Sequence, residues 1–306
     1  MKNYLLRATL FAIFCLVIIS CNSGGANGRS EDKREHNQTK LYGVTLDSIK
    51  EIEPTIEALG SLSKRVMVRV VFDENISAKS YKEPLQKLKG VSSIMGELFD
   101  SEYLPHYSLK EYKKRIDEYL DVLGDVVDVW EIGNEVNGEW TGEPSDVAKK
   151  VAYAYSAVKK RGYKSALTLY YNDYSYNDGC WAKPQEKMRP WAKKYLDKEL
   201  KEGLEYLFVS YYEEDCDNYR PTKLEWERLF KELGKMFPNS KLGFGEVGTS
   251  NSSKKAEYLK RYYTLDINAS RYIGGYFWWY AKEDMVPKSK PLWGVLDEVL
   301  KREEKL

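Results

Sequence analysis

Eight strand-like runs, most of them followed by a helical pattern, divide the chain between Lys40 and Leu306. They are expected at Leu41–Leu46, Val66–Phe72, Val91–Phe99, Val126–Gly133, Ala166–Tyr171, Tyr206–Tyr212, Leu242–Val247 and Gly275–Tyr280. Helix starts are signalled between them. Ser108-Leu109-Lys110-Glu111 is a capping box that opens Tyr112, Ile116, Tyr119, Leu120 and Leu123 at helical spacing, and Gly124 stops it. Thr222-Lys223-Leu224-Glu225 opens another helix, and Gly162 and Gly203 end two more. The weakest helical stretch runs from Asn75 to Gly90, where Pro84 interrupts the pattern. Strand–helix alternation implies a parallel sheet with crossovers. Eight such units imply a closed (β/α)8 barrel, and residues 40–306 suit the roughly 250 residues of a single such domain.

Within this frame two strands end in carboxylates. Trp130-Glu131-Ile132-Gly133-Asn134-Glu135 follows an apolar run and leads into Asn137-Gly138 turn chemistry. Lys241-Leu242-Gly243-Phe244-Gly245-Glu246 is a second short strand with the same ending. A glutamate gains little inside a strand, so it is either paired structurally or presented for chemistry. Two strand-end carboxylates are the minimum equipment for glycoside hydrolysis. The pair resembles the clan A glycoside hydrolases, whose acid/base glutamate, preceded by Asn, ends the fourth barrel strand and whose nucleophile ends the seventh. The resemblance implies Glu135 as acid/base and Glu246 as nucleophile. Their separation in sequence is close to three strand–helix units, as strands four and seven require.

The same resemblance implies roles for other residues. Arg69, in the second strand, either faces the nucleophile or points outward to a helix. Asn134 is the expected partner of a sugar 2-hydroxyl. Asn172, in Tyr170-Tyr171-Asn172-Asp173, lies in a stretch similar to the family 10 xylanases and is either a subsite residue or a turn former. Tyr212 is preferred to Tyr211 as the hydroxyl reaching the nucleophile. Trp278 is expected under the sugar at the cleaved bond, on the face it shares with Tyr276 and Tyr280; barrel packing is the other reading. Trp140 either lines an outer subsite or covers its own loop. The Trp-Glu-x-x-Asn-Glu form resembles family 39 and Ser210-Tyr211-Tyr212 resembles the family 53 galactanases, so no family is assigned. Several clan families carry His at the ends of strands four to six, and this chain has none there.

The N-terminus carries an address. Lys2 and Arg7 precede an apolar run from Leu10 to Ile19, which reads as a secretory signal over residues 1–20. Ile18-Ile19-Ser20-Cys21 resembles a bacterial lipobox, which implies lipidation of Cys21; an ordinary signal peptide with an incidental Cys is one alternative, and an uncleaved anchor another, against which the shortness of the apolar run argues. Residues 21–39 are small, polar and charged, and read as a flexible tether. Cys15 would leave with the signal and Cys21 would carry lipid. Cys180 and Cys216 then remain, in loops after neighbouring strands, and are expected to form a disulfide in an oxidising compartment.

Composition bounds the rest. A net charge of +1 without a basic run argues against nucleic acid, and two histidines, His36 and His106, cannot build a His-rich metal site. The chain holds 25 Tyr and 8 Trp, residues that stack on sugars as readily as they fill cores. The expectation is a lipid-anchored protein of the bacterial cell envelope, monomeric, touching membrane only through its lipid. It would be a retaining glycoside hydrolase acting on a β-linked carbohydrate without cofactor or metal. A transglycosylase and a non-catalytic glycan-binding lipoprotein on a degraded barrel are the alternatives.

Overall fold

The computed structural model describes residues 40–172, 180 and 187–302. The expected signal, the tether and Cys21 lie outside them. Strands β1 (Leu41–Leu46), β2 (Met67–Val71), β3 (Ser93–Glu97), β4 (Val129–Glu131), β5 (Ser165–Tyr170), β6 (Tyr206–Tyr211), β7 (Lys241–Val247) and β8 (Tyr272–Trp278) pair parallel in chain order, and β8 closes on β1. Helices separate the strands, giving a single (β/α)8 barrel.

Local chemistry explains the helices that aim the loops. The helix α1 (Ile52–Gly60) is followed by α2 (Ala78–Lys89), which continues through Pro84. A proline in a helix interior costs about 3 kcal/mol. The fully buried Tyr81, Leu85 and Leu88 on one face of α2 offset that cost, which sequence periodicity alone undervalues. In α3 (Leu109–Leu123) the Ser108 hydroxyl accepts from Glu111 N–H at 3.3 Å, while the Glu111 carboxylate accepts from Ser108 N–H at 2.9 Å. Helix α4 (Pro144–Lys160) ends before Gly162, whose φ of +74° suits a residue without Cβ. After α5 (Met188–Tyr195) and α6 (Lys198–Gly203), the Thr222–Glu225 capping box opens α7 (Lys223–Met236). The helices α8 (Lys255–Tyr263), α9 (Ala281–Met285) and α10 (Pro291–Arg302) complete the wall.

Two cores result. The larger packs the outward faces of the strands against the helices. The smaller fills the barrel with Met67, Met95, Val129, Ala166, Phe208 and Phe277. Two residues further along five of those strands, on the same face, stand Arg69, Glu97, Glu131, Thr168 and Ser210, all fully buried. The barrel interior therefore turns from apolar to polar within one step of each strand, toward the C-terminal ends.

Candidate active site

The polar end of the barrel is built strand by strand. Beyond β4 the ladder to β5 continues, with Ile132 N–H donating to Ala166 O at 2.8 Å and Thr168 N–H to Gly133 O at 3.0 Å. The chain then breaks away, and Glu135 adopts a left-handed backbone with φ +46°. A non-glycine residue held there stores strain of the kind found at functional positions. On β7, Phe244 packs outward and simple alternation would send Glu246 the same way. The pairing with β6 slips between Val209 and Ser210, so that Ser210 stands opposite Glu246. This bulge leaves Gly245 as the extra residue and turns Glu246 into the barrel mouth. Gly245 has to lack a side chain, since a Cβ would stand 2.6 Å from the Phe208 Cβ.

Glu135 and Glu246 thereby line one cleft of about 330 Å³, together with Asp100, Ser101, Asn134, Trp140, Tyr170, Tyr212, Asp215 and Trp279. Their surroundings differ. The Glu246 carboxylate accepts from Tyr212 OH at 2.6 Å on one oxygen and from Arg69 Nη1 at 2.9 Å on the other. Among the described residues Glu135 accepts only from hydroxyls: Ser210 on Oε1, and Ser101 on Oε2 at 3.3 Å. Ser101 in turn accepts from Trp140 Nε1–H at 2.9 Å.

Burial and the charge of Glu246 push the Glu135 carboxyl well above the usual range, against the opposing pull of Ser210 and Arg69. Burial also raises Glu246, but Arg69 and Tyr212 work against it and it is pushed up only to about 7. The two carboxyls are thus driven apart, with Glu246 first to ionise and Glu135 retaining its proton, the arrangement that sorts a base or nucleophile from an acid. Burial and the neighbouring Glu246 raise the Tyr212 hydroxyl well above its ordinary value, so it stays a donor.

Beneath the cleft, Arg69 is wholly enclosed. It pairs with Glu131 at 2.7 Å and Glu246 at 2.9 Å by hydrogen bonds, and touches Glu97 at 2.9 Å in an ion contact outside hydrogen-bond alignment. Burial works against its charge, but the three carboxylates outweigh that and hold it firmly protonated. Glu131 is also bound by the Thr168 hydroxyl. Neither oxygen of Glu97 has a hydrogen-bond partner, and burial, opposed by Arg69, drives its carboxyl well above the usual range toward the neutral acid.

No family model and no curated protein sequence matches the chain. Its architecture is shared. Saccharomyces cerevisiae Gas2p in complex with laminaritriose and laminaritetraose aligns at a TM-score of 0.51 and 12% identity, over 87% of this chain and 65% of that one. The chain thus spans less than two thirds of the length of that Gas2p chain. Endo-glycoceramidase II from Rhodococcus sp., in a cellobiose-like imidazole complex, aligns at 0.56 and 10% identity, over 85% of this chain and 78% of that one. At such identities the likeness is one of fold. It is the barrel fold that the resemblance to clan A glycoside hydrolases implies.

Of the residues singled out in the sequence, Glu135, Glu246, Asn134, Tyr212 and Trp140 meet in the cleft, and Arg69 lies inward beneath Glu246. Tyr211 turns away, donating to Tyr219 O at 2.5 Å. Cys180 and Cys216 are joined by a disulfide with an S–S distance of 2.01 Å, next in sequence to the cleft residue Asp215. Two positions need correction. Asn172 does not line the cleft; its Oδ1 accepts from Met188 N–H at 2.8 Å and Asn137 Nδ2 at 3.3 Å, tying loop to helix. Trp278 is fully buried in the outer core, donating from Nε1 to Asp284 at 2.9 Å, and Trp279 lines the cleft instead. The alternation of Tyr276 and Trp278 holds, but their shared face is the outer one because Phe277 fills the barrel. Sequence reasoning passed over Glu97, Glu131, Ser101, Ser210 and Trp279. Glu131 carried a signal, since a charged residue inside a buried strand must find a partner.

Proposed function

We propose that the chain is a retaining glycoside hydrolase cleaving β-linked poly- or oligosaccharide. The observation that carries this reading is the unequal pair: Glu246 hydrogen-bonded by Arg69 and Tyr212, Glu135 among hydroxyls, both in one cleft. In the first step a Glu246 oxygen attacks the anomeric carbon. The bond to the leaving oxygen breaks as Glu135 gives that oxygen its proton. In the second, Glu135, now a carboxylate, takes a proton from water. The water oxygen attacks the same carbon and releases Glu246. Asn134 is suited to hold the sugar beside the reacting carbon, and Trp279 to stack beneath it.

Direct attack requires carboxyl groups about 5–5.5 Å apart, too close for an intervening water. The test is NMR of the first-formed product, which should keep the anomeric configuration of the substrate; an inverted product overturns the double displacement. Laminari- and cello-oligosaccharides, the kinds of ligand named for the two structural neighbours, are the first substrates to try.

Lipidation of Cys21 is part of the same proposal, and the basic, apolar and Ser20-Cys21 segments of the leader support it. The full chain should partition into detergent, and Cys21→Ser should send it to the aqueous phase.

A further inference from the structure

The described residues lining the cleft include Asp100, Glu102 and Asp215 besides Glu135 and Glu246, and none of them is lysine or arginine. The one cation beneath, Arg69, is fully buried and engaged by Glu97, Glu131 and Glu246, so it offers nothing to a ligand. Asp215 has no ion pair among the described residues, and burial together with neighbouring Glu214 pushes its carboxyl up to about 6. Glu214 brings no compensating cation, being held by Thr249 Oγ1 at 2.9 Å and Ser250 N–H at 2.8 Å. Asp100 accepts only from Glu102 N–H at 2.9 Å, and its charge helps raise both Glu135 and Glu246.

A second, independent feature points to a hydrogen-bond donor as the missing partner. Asn134 lines the cleft, is 3% exposed, and its Oδ1 has no hydrogen-bond partner. A buried acceptor left open is costly until a donor arrives. The Trp279 ring at the cleft already lies by a cation, with the Arg69 guanidinium carbon 5.8 Å from its centroid.

We propose that the cleft selects its glycan by charge, taking chains of amino sugars ahead of neutral ones and rejecting chains that carry carboxylate or sulfate, with Asp215 and Asp100 setting the preference. This rests on the hydrolase reading in so far as that reading puts a sugar in the cleft. An ammonium group finds carboxylates that have no cationic partner among the described residues. An added anion meets like charge on several sides and, among the described lining residues, no cation to neutralise it.

Binding to the Glu135→Gln variant tests this without turnover, since glutamine stands in for a carboxyl that keeps its proton. Tryptophan fluorescence would follow titration with cellotetraose, with chitosan tetraose as its amino counterpart, and with cellotetraose oxidised to the uronate. At low salt the amino chain should bind about tenfold tighter than the neutral one and the uronate at least about tenfold weaker, with both gaps narrowing in about 0.5 M salt. Adding Asp215→Asn should shrink the amino-to-uronate ratio about tenfold. Equal affinities, a preference for the uronate, or no binding by any of the three overturns the proposal. Native protein that binds the amino chain tightly but leaves it and the neutral chain uncleaved would instead overturn the hydrolase reading and leave the charge preference standing.

Discussion

Two layers of the same barrel, one step apart along the strands, differ in almost everything except position. Met67, Met95, Val129, Ala166 and Phe208 make a dry plug; Arg69, Glu97, Glu131, Thr168 and Ser210, each two residues on, make a buried ionic net. The plug needs only volume and shape. The net consists of groups whose burial is unfavourable singly, and it persists because each charge is positioned against another. The first layer is apolar packing; the second reaches the cleft above it, with Arg69 bonded to Glu246 and Ser210 to Glu135.

The contrast can be broken at several points. Glu246→Ala should reduce turnover on every substrate by at least roughly 10⁴-fold, because no other described carboxyl in the cleft is hydrogen-bonded by both Arg69 and Tyr212. Product release assayed on aryl glycosides and natural chains checks it. Glu135→Gln should lower rates by about 10²–10⁴-fold on substrates with poor leaving groups and far less on activated aryl glycosides, with azide restoring part of the latter. Equal losses on both would remove Glu135 from the acid/base role.

Stability should report the ionic layer differently. Arg69→Ala leaves Glu131 and Glu246 buried without their counter-charge and should cost about 3–5 kcal/mol in urea unfolding. Met95→Leu, one step down the same barrel, should cost less than about 1.5 kcal/mol and leave the pH profile unmoved.

Between these lies a pH effect. The nucleophile acts as an anion, so kcat/KM should fall as pH drops through about 7, where Glu246 takes up its proton. The Tyr212 hydroxyl favours the anion; Tyr212→Phe removes that donor, raises the Glu246 pKa further and should move the acid limb to higher pH. An acid limb that stays put or moves down would separate Tyr212 from the charge of Glu246.

The sequence carried the architecture well because strand–helix alternation and capping boxes are local signals. Ser108–Glu111 and Thr222–Glu225 act in the structure as their spacing implies. What it carried poorly was facing. Trp278 and Trp279 are indistinguishable by type, and only the placement of Phe277 in the barrel shows which one reaches the cleft. On β8 the backbone is irregular, with φ +93° at Gly274, +90° at Gly275 and +72° at Tyr276, so strand phase could not be extrapolated from its neighbours. Glu246 faces inward by virtue of a bulge that no alternation rule foresees. Pro84 shows the opposite failure, a local breaker overruled by the burial of Tyr81, Leu85 and Leu88. Glu97 was silent because its partner, Arg69, is distant in sequence and the contact exists only once β2 and β3 are paired.

The left-handed backbone at Glu135 has a bearing on how such a chain would decay. At φ +46° a glutamate is disfavoured by about 1–2 kcal/mol, whereas glycine sits there at ease. Relaxed selection on catalysis would therefore leave this position free to drift toward glycine, and the drift would make the molecule sturdier. A chain kept only to hold sugars would gain by that exchange. Glu135→Gly should accordingly resist urea better than the native chain while losing the carboxyl that the proposed acid/base step requires.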